Sequence, residues 1–277
     1  MKTLTLYAIA ITMAMAVISC KKNDQTDPES KTELLKIANG YALGAAAKVE
    51  LYAKTDLKTG FNEIYVAVFD SISGSRINSG EIALKPIMQM LMNGAAMSHS
   101  APSENPESAQ AINGLFPAAA VFTMPSSGES GKWFIEVTVK NNTNNKQGKA
   151  SIPVSVSDGT EPRVLTVTSL INSEKYIVSY IEPITPKVGV NDFEILINRK
   201  TDGMTYPPAN NLSVQITPEM PDMGHGSPNN INPVFIKNGH YKGKVNFTMT
   251  GLWEINLTLK DETGQLIRND AFFKVTF

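Results

Sequence analysis

Short stretches in which apolar and polar residues alternate recur along the chain, and they predict strands. Trp133, Ile135, Val137 and Val139 alternate with Glu136, Thr138 and Lys140; Trp253, Ile255, Leu257 and Leu259 alternate with Glu254, Asn256, Thr258 and Lys260. Successive side chains of a strand point to opposite faces, so each run buries one face and wets the other. Ile64–Phe69 and Phe193–Ile197 are denser apolar runs. Each follows a turn, Thr59-Gly60-Phe61-Asn62 and Val188-Gly189-Val190-Asn191, and the offset between the turns is 191 − 62 = 129. Final strands are expected at Ile152–Ser157 and Phe272–Phe277. Pro153 lacks a ladder donor and places the first of these at a sheet edge. No long amphipathic helical pattern competes with the strands.

The pattern runs through the chain twice. Met97-Ser98-His99-Ser100 and Met223-Gly224-His225-Gly226 are each followed by a proline, Pro102 and Pro228. Phe122-Thr123-Met124 and Phe247-Thr248-Met249 come next, and Gly131-Lys132-Trp133 and Gly251-Leu252-Trp253 close each set. The copies differ where Met88, Met90 and Met92 crowd one stretch and a longer polar insert, Ser103–Asn113, follows. Alternating strands in two copies, with a turn-rich break at Asp158–Pro162, predict an all-β chain of two tandem immunoglobulin-like antiparallel β-sandwiches. The expected domains are 33–158 and 162–277.

The first nineteen residues are expected to be a signal peptide. Lys2 supplies a positive start, and the apolar stretch Leu4–Ile18 is short for a membrane span. It ends in Val17-Ile18-Ser19-Cys20, which resembles the lipobox of bacterial lipoproteins. Cys20 is the single cysteine of the chain, and lipidation there would anchor the protein to a membrane. Residues 20–32 then form a polar tether. The lysine after Cys20 favours the outer membrane, with the domains on its periplasmic or surface side.

Composition narrows the chemistry. The formal net charge of −1 offers no basic surface for nucleic acid. With Cys20 lipidated, no thiol remains for disulfides or nucleophilic catalysis. Carboxylates are dispersed and no phosphate-binding loop stands out, so an enzyme is not expected. The residues that carry chemistry are soft. Thioether sulfur is uncharged and favours Cu(I) or Ag(I), and imidazole can complete such a site. Residues i and i+2 of an extended segment share a side, so Met97 with His99, and Met223 with His225, can converge on an ion. Met124 and Met249 are expected as third donors, Met220 with Met88, Met90 and Met92 as spare ones, and Trp133 and Trp253 as cation–π caps or as core. His240 has no counterpart in the first copy and reads as a surface residue.

The stretch Met220-Pro-Asp-Met223-Gly-His225-Gly, followed by Gly239-His240-Tyr241-Lys242-Gly243, Phe247-Thr-Met249 and Gly251-Leu-Trp253, resembles the YtkA-like (FixH-like) domain family. The first copy resembles it in outline, through Met97, His99, Met124 and Trp133, with Asn113-Gly114-Leu115-Phe116 in place of the Gly-x-Tyr-x-Gly turn. The resemblance implies an immunoglobulin-like fold and a setting near copper-handling and respiratory-oxidase assembly proteins. Together these features lead to the expectation of an envelope lipoprotein that binds Cu(I) for buffering or for delivery to a copper-handling partner. A structural or adhesive module, or an assembly factor using the same loops, is the alternative, because sandwiches host both roles.

Overall fold

The computed structural model describes residues 33–92, 94–201 and 204–277. The expected leader, the tether and Cys20 lie outside the described residues. Nine strands occupy the first half: β1 (Leu35–Ala42), β2 (Ala47–Ala53), β3 (Gly60–Asp70), β4 (Gly80–Met92), β5 (Ala95–Ser100), β6 (Ser103–Glu104), β7 (Phe116–Phe122), β8 (Gly131–Asn141) and β9 (Gln147–Val154). Nine more follow: β10 (Val164–Thr168), β11 (Lys175–Glu182), β12 (Gly189–Lys200), β13 (Ser213–Met220), β14 (His225–Gly226), β15 (Ile231–Lys237), β16 (His240–Phe247), β17 (Leu252–Lys260) and β18 (Leu266–Thr276). The fold is all-β, as the alternation requires, and every pairing between strands is antiparallel.

Four sheets form. Their orders are β1-β2-β3-β7-β6 and β5-β4-β8-β9 in the first half, and β10-β11-β12-β16-β15 and β14-β13-β17-β18 in the second. Advancing every first-half strand by nine reproduces the second half. In each half the inward faces of the two sheets close on one apolar core. Val49, Val66, Trp133, Ile135 and Val137 belong to the first core, and Val178, Ile195, Trp253, Ile255 and Leu257 to the second. The alternating runs predicted at Trp133 and Trp253 are buried on the expected face. Pro153 lies on β9, an edge strand, also as expected. The final strands begin earlier than the apolar residues suggested, at Gln147 and Leu266, because β8 and β17 pair with their polar starts as well.

The turns before the central strands are built alike. The Asn62 side chain accepts from the Lys58 amide and donates to the Lys58 and Gly60 carbonyls. Asn191 makes the same three bonds to Lys187 and Gly189. Gly60 (φ 102°) and Gly189 (φ 98°) sit in a region that side chains disfavour.

Along β3 and β12 the alternation gives way to continuous burial, Val66–Val68 and Ile195–Asn198. One face of these strands feeds its own core. The other lies between the halves, where Val121, Ile177 and Leu196 form a third cluster with Phe61, Val164, Ile181 and Tyr206 packed against it. Burial on both faces is what made Ile64–Phe69 and Phe193–Ile197 dense rather than alternating.

Candidate functional site

The β4–β5 hairpin places Met88 opposite His99 and Met90 opposite Met97. Directly opposed residues of an antiparallel pair share a face, so three thioethers and one imidazole line one side of this hairpin. On the other flank of β4, Met88 opposes Trp133 of β8. The result is a row across three strands: His99, Met88, Trp133. The second half repeats it. Met220 opposes His225, and Trp253 stands one residue beyond the Glu219–Glu254 pair, alongside Met220.

Depth varies along each row. Trp133 and Trp253 are fully buried, and Met88 (1% exposed) and Met220 (6%) are core residues. His99 is half-buried and His225 exposed. Each row also has a glycine two positions before its tryptophan. A Cβ on Gly131 would stand 2.6 Å from the Met88 methyl, and one on Gly251 would stand 2.7 Å from the Met220 methyl. The Gly-x-Trp sequence therefore opens the space into which the buried thioether packs.

Both indole N–H groups are bonded to main chain. Trp133 Nε1 donates to the Met124 carbonyl at 3.0 Å, and Trp253 Nε1 donates to the Met249 carbonyl at 3.0 Å. Phe122 and Phe247 pack against them, with ring centroids at 5.1 and 5.4 Å. Met124 and Met249 thus have a backbone role, while their side chains are 36% and 38% exposed at the end of the sandwich.

His225 is the better defined imidazole. Its Nε2 lies 3.1 Å from Thr248 Oγ1, and its ring centroid is 6.3 Å from that of Trp253. With Nε2 engaged by the hydroxyl, Nδ1 is the nitrogen left for a ligand.

The structure revises how the donors are paired. Met97 and His99 lie on one strand and share a face, as i and i+2 should. Met223 does not match Met97. It ends a single 3-10 turn, Pro221–Met223, and Gly224 after it is left-handed (φ 57°), so the segment to His225 is not extended and the i, i+2 argument fails there. Met223 is 61% exposed. By register and packing, Met88 and Met220 are the equivalent methionines, an offset of 132 that spacing from the histidines concealed. His99 itself lies on β5.

His240 also departs from expectation. It is no free surface residue: its Nδ1 lies 2.7 Å from Glu194 and its Nε2 2.8 Å from Glu104. Sequence offered one signal for it, the polar outward positions of β12 and β16 that this pairing places side by side.

Residues 172–258 match the YtkA-like family model. The matched segment runs from just before β11 to near the end of β17, and so holds the whole His225–Met220–Trp253 row. The first half shares the strand order of this YtkA-like segment, and with it the His–Met–Trp row. No match to the chain was found among curated proteins. Among the described residues, no group of three or more His, Cys, Asp or Glu is placed to hold a metal ion. Any ion bound at the rows would therefore depend on thioether sulfur. Imidazole beside thioether is a donor set that suits a soft monovalent ion and suits hard cations poorly.

Proposed function

We propose that this chain is a lipid-anchored protein of the bacterial cell envelope, built of two domains, 33–158 and 162–277, that binds Cu(I) and buffers it or passes it to a copper-handling partner. Cys20 is the proposed anchor, most simply in the outer membrane. The observation that supports the binding role is the paired register, Met88 opposite His99 and Met220 opposite His225. Repetition of the motif in sequence does not require the imidazole and thioether to meet; cross-strand pairing puts them on neighbouring positions of one face. His99 with Met90 and Met97 would hold the ion in the first domain, with Met88 beneath. His225 with Met220 would hold it in the second, with the exposed thioethers of Met223 and Met249 as further donors. When bound, Cu(I) supplies no chemistry beyond its own transfer, and ligand exchange between thioethers of two proteins is its simplest route.

Titrating the protein with Cu(I) against a competing chelator tests this. About two tight sites are expected, one lost in His99→Ala and the other in His225→Ala. Unchanged binding in both variants would remove the histidines from any site. Membrane attachment is tested separately: Cys20→Ser should release the protein into the soluble envelope fraction.

One observation favours a second reading. Met88 and Met220 fill core space beneath glycines, so shared descent and packing suffice to preserve them. On that reading the rows are structural and the sandwich ends present loops to another envelope protein or a glycan; a chain that binds no Cu(I) would support it.

A further inference from the structure

A small apolar cluster lies between the halves. Three fully buried aliphatic side chains and a few partly buried ones form it. Ser179 Oγ and Asn198 Oδ1, on the same outward faces of β11 and β12, are buried with no hydrogen-bond partner among the described residues. Charged contacts supplement this patch. Lys237 of β15 pairs with Glu107, which follows β6, and His240 of β16 sits between two carboxylates. Glu104, on β6 of the first half, lies 2.8 Å from its Nε2; Glu194, on β12 of the second half, lies 2.7 Å from its Nδ1.

That geometry specifies a protonation state. An ionised carboxylate only accepts, and a neutral imidazole has one N–H. A neutral ring could satisfy one glutamate and would aim a lone pair at the other. Only the imidazolium donates to both.

We propose that the proton on His240 is a latch between the two halves: with it, one ring ties Glu104 to Glu194 across the interface, and without it the tie to one of them becomes a repulsion. The other groups facing the ring fit this role. Lys242, also on β16, contacts Glu194 Oε2 at 3.0 Å, so the imidazolium and this ammonium together balance Glu104 and Glu194. Lys237 and Glu107 neutralise each other nearby. From β3, Phe61 presents an edge to the ring at 6.1 Å between centroids and supplies no charge. Losing the proton leaves two half-buried carboxylates facing one ammonium.

The direction of the pH effect follows. Burial is the largest single influence on His240 and lowers its pKa, but the bonds and charges of Glu104 and Glu194 together outweigh it and raise the pKa to about 9. A raised pKa means the stabilisation is complete below the ordinary imidazole value near 6.5 and is lost as pH rises through about 9. The latch is therefore closed at neutral pH and opens in alkali. It is independent of metal.

Two measurements on the full chain test it. Nitrogen NMR of the His240 ring at pH 7.5 should show both ring nitrogens protonated; a neutral tautomer there would overturn the proposal without any mutation. Methyl NOEs within the Val121, Ile177 and Leu196 cluster should then be followed from pH 7.5 to 10.5, with small-angle scattering alongside. The expected result is loss of those NOEs and a larger radius of gyration above about pH 9, with the transition shifted to lower pH by about one unit or more in Glu104→Gln. Persistence of the NOEs to pH 10.5, or an unmoved transition in Glu104→Gln, would show that the proton on His240 does not hold the halves together.

Discussion

Trp253 donates its indole N–H to the backbone carbonyl of Met249, and the two residues are thereby locked into one corner at the end of the second sandwich. Trp133 and Met124 form the same corner in the first. A buried indole N–H needs an acceptor, and here the acceptor is main chain, so the tryptophan anchors the turn that carries the methionine. Replacing Trp253 with Phe keeps an aromatic ring but leaves the Met249 carbonyl without its donor and a gap where the second ring stood. The expected loss is about 1–3 kcal/mol, read as a lower urea midpoint. An unchanged midpoint would mean that the bond does not hold the corner.

Met88 and Met97 line the same hairpin face at different depths, and that difference separates packing from ligation. Met88, 1% exposed, lies under Gly131. Met88→Ala should cost about 2–5 kcal/mol of stability through the cavity it leaves. Met97, 42% exposed, has little core to lose, so Met97→Leu should stay within about 0.5 kcal/mol of the parent. If the first domain binds Cu(I) as proposed, Met97→Leu should nonetheless weaken that site. A variant with unchanged stability and unchanged Cu(I) affinity would exclude Met97 as a donor.

Much of this architecture was legible in the sequence because strands announce themselves by alternation. The runs at Trp133 and Trp253 gave the right faces, and the Asn62 and Asn191 turns gave the right repeat. Register was not legible. Which methionine stands opposite which histidine depends on hairpin geometry, and a shift of one residue reverses every face. Chain spacing thus matched Met97 with Met223, while the register matches Met88 with Met220. The role of His240 is hidden in the sequence for a related reason. Its partners, Glu104 and Glu194, are 136 and 46 residues away, and no local pattern encodes a contact between strands so far apart in the chain.

Glu50 should make acid stability steeper than the neutral composition suggests. It lies on β2, 7% exposed, with Lys36 at 2.5 Å, Lys48 at 2.8 Å and the Tyr52 hydroxyl at 2.5 Å. Burial is the largest single influence and pushes its carboxyl up, but these three partners together hold it at about 2. The pKa is depressed, so the stabilisation is present above the unfolded value near 4.5 and disappears as pH falls through about 2. Urea midpoints between pH 6 and 2 should fall for the parent and fall less for Glu50→Gln, which is less stable at pH 6. Parallel curves for the two proteins would show that Glu50 carries none of the acid sensitivity.

Asn62 and Asn191 provide the test of whether equivalent positions in the halves are energetically equivalent. Each side chain closes the turn before a central strand with three hydrogen bonds to main chain. Asn191 is buried and Asn62 is half-buried, so alanine should cost more at 191, where the freed backbone groups are less able to find water. About 1 kcal/mol is expected at Asn62 and about 2 kcal/mol at Asn191. The two turns share no partner, so the double variant should lose the sum to within about 0.5 kcal/mol. A double variant well short of the sum would reveal coupling between the halves. Repeating the cycle at pH 10 then separates the causes: coupling that vanishes in alkali belongs to the His240 latch, and coupling that persists belongs to contacts that do not titrate there, the apolar cluster of Val121, Ile177 and Leu196 among them.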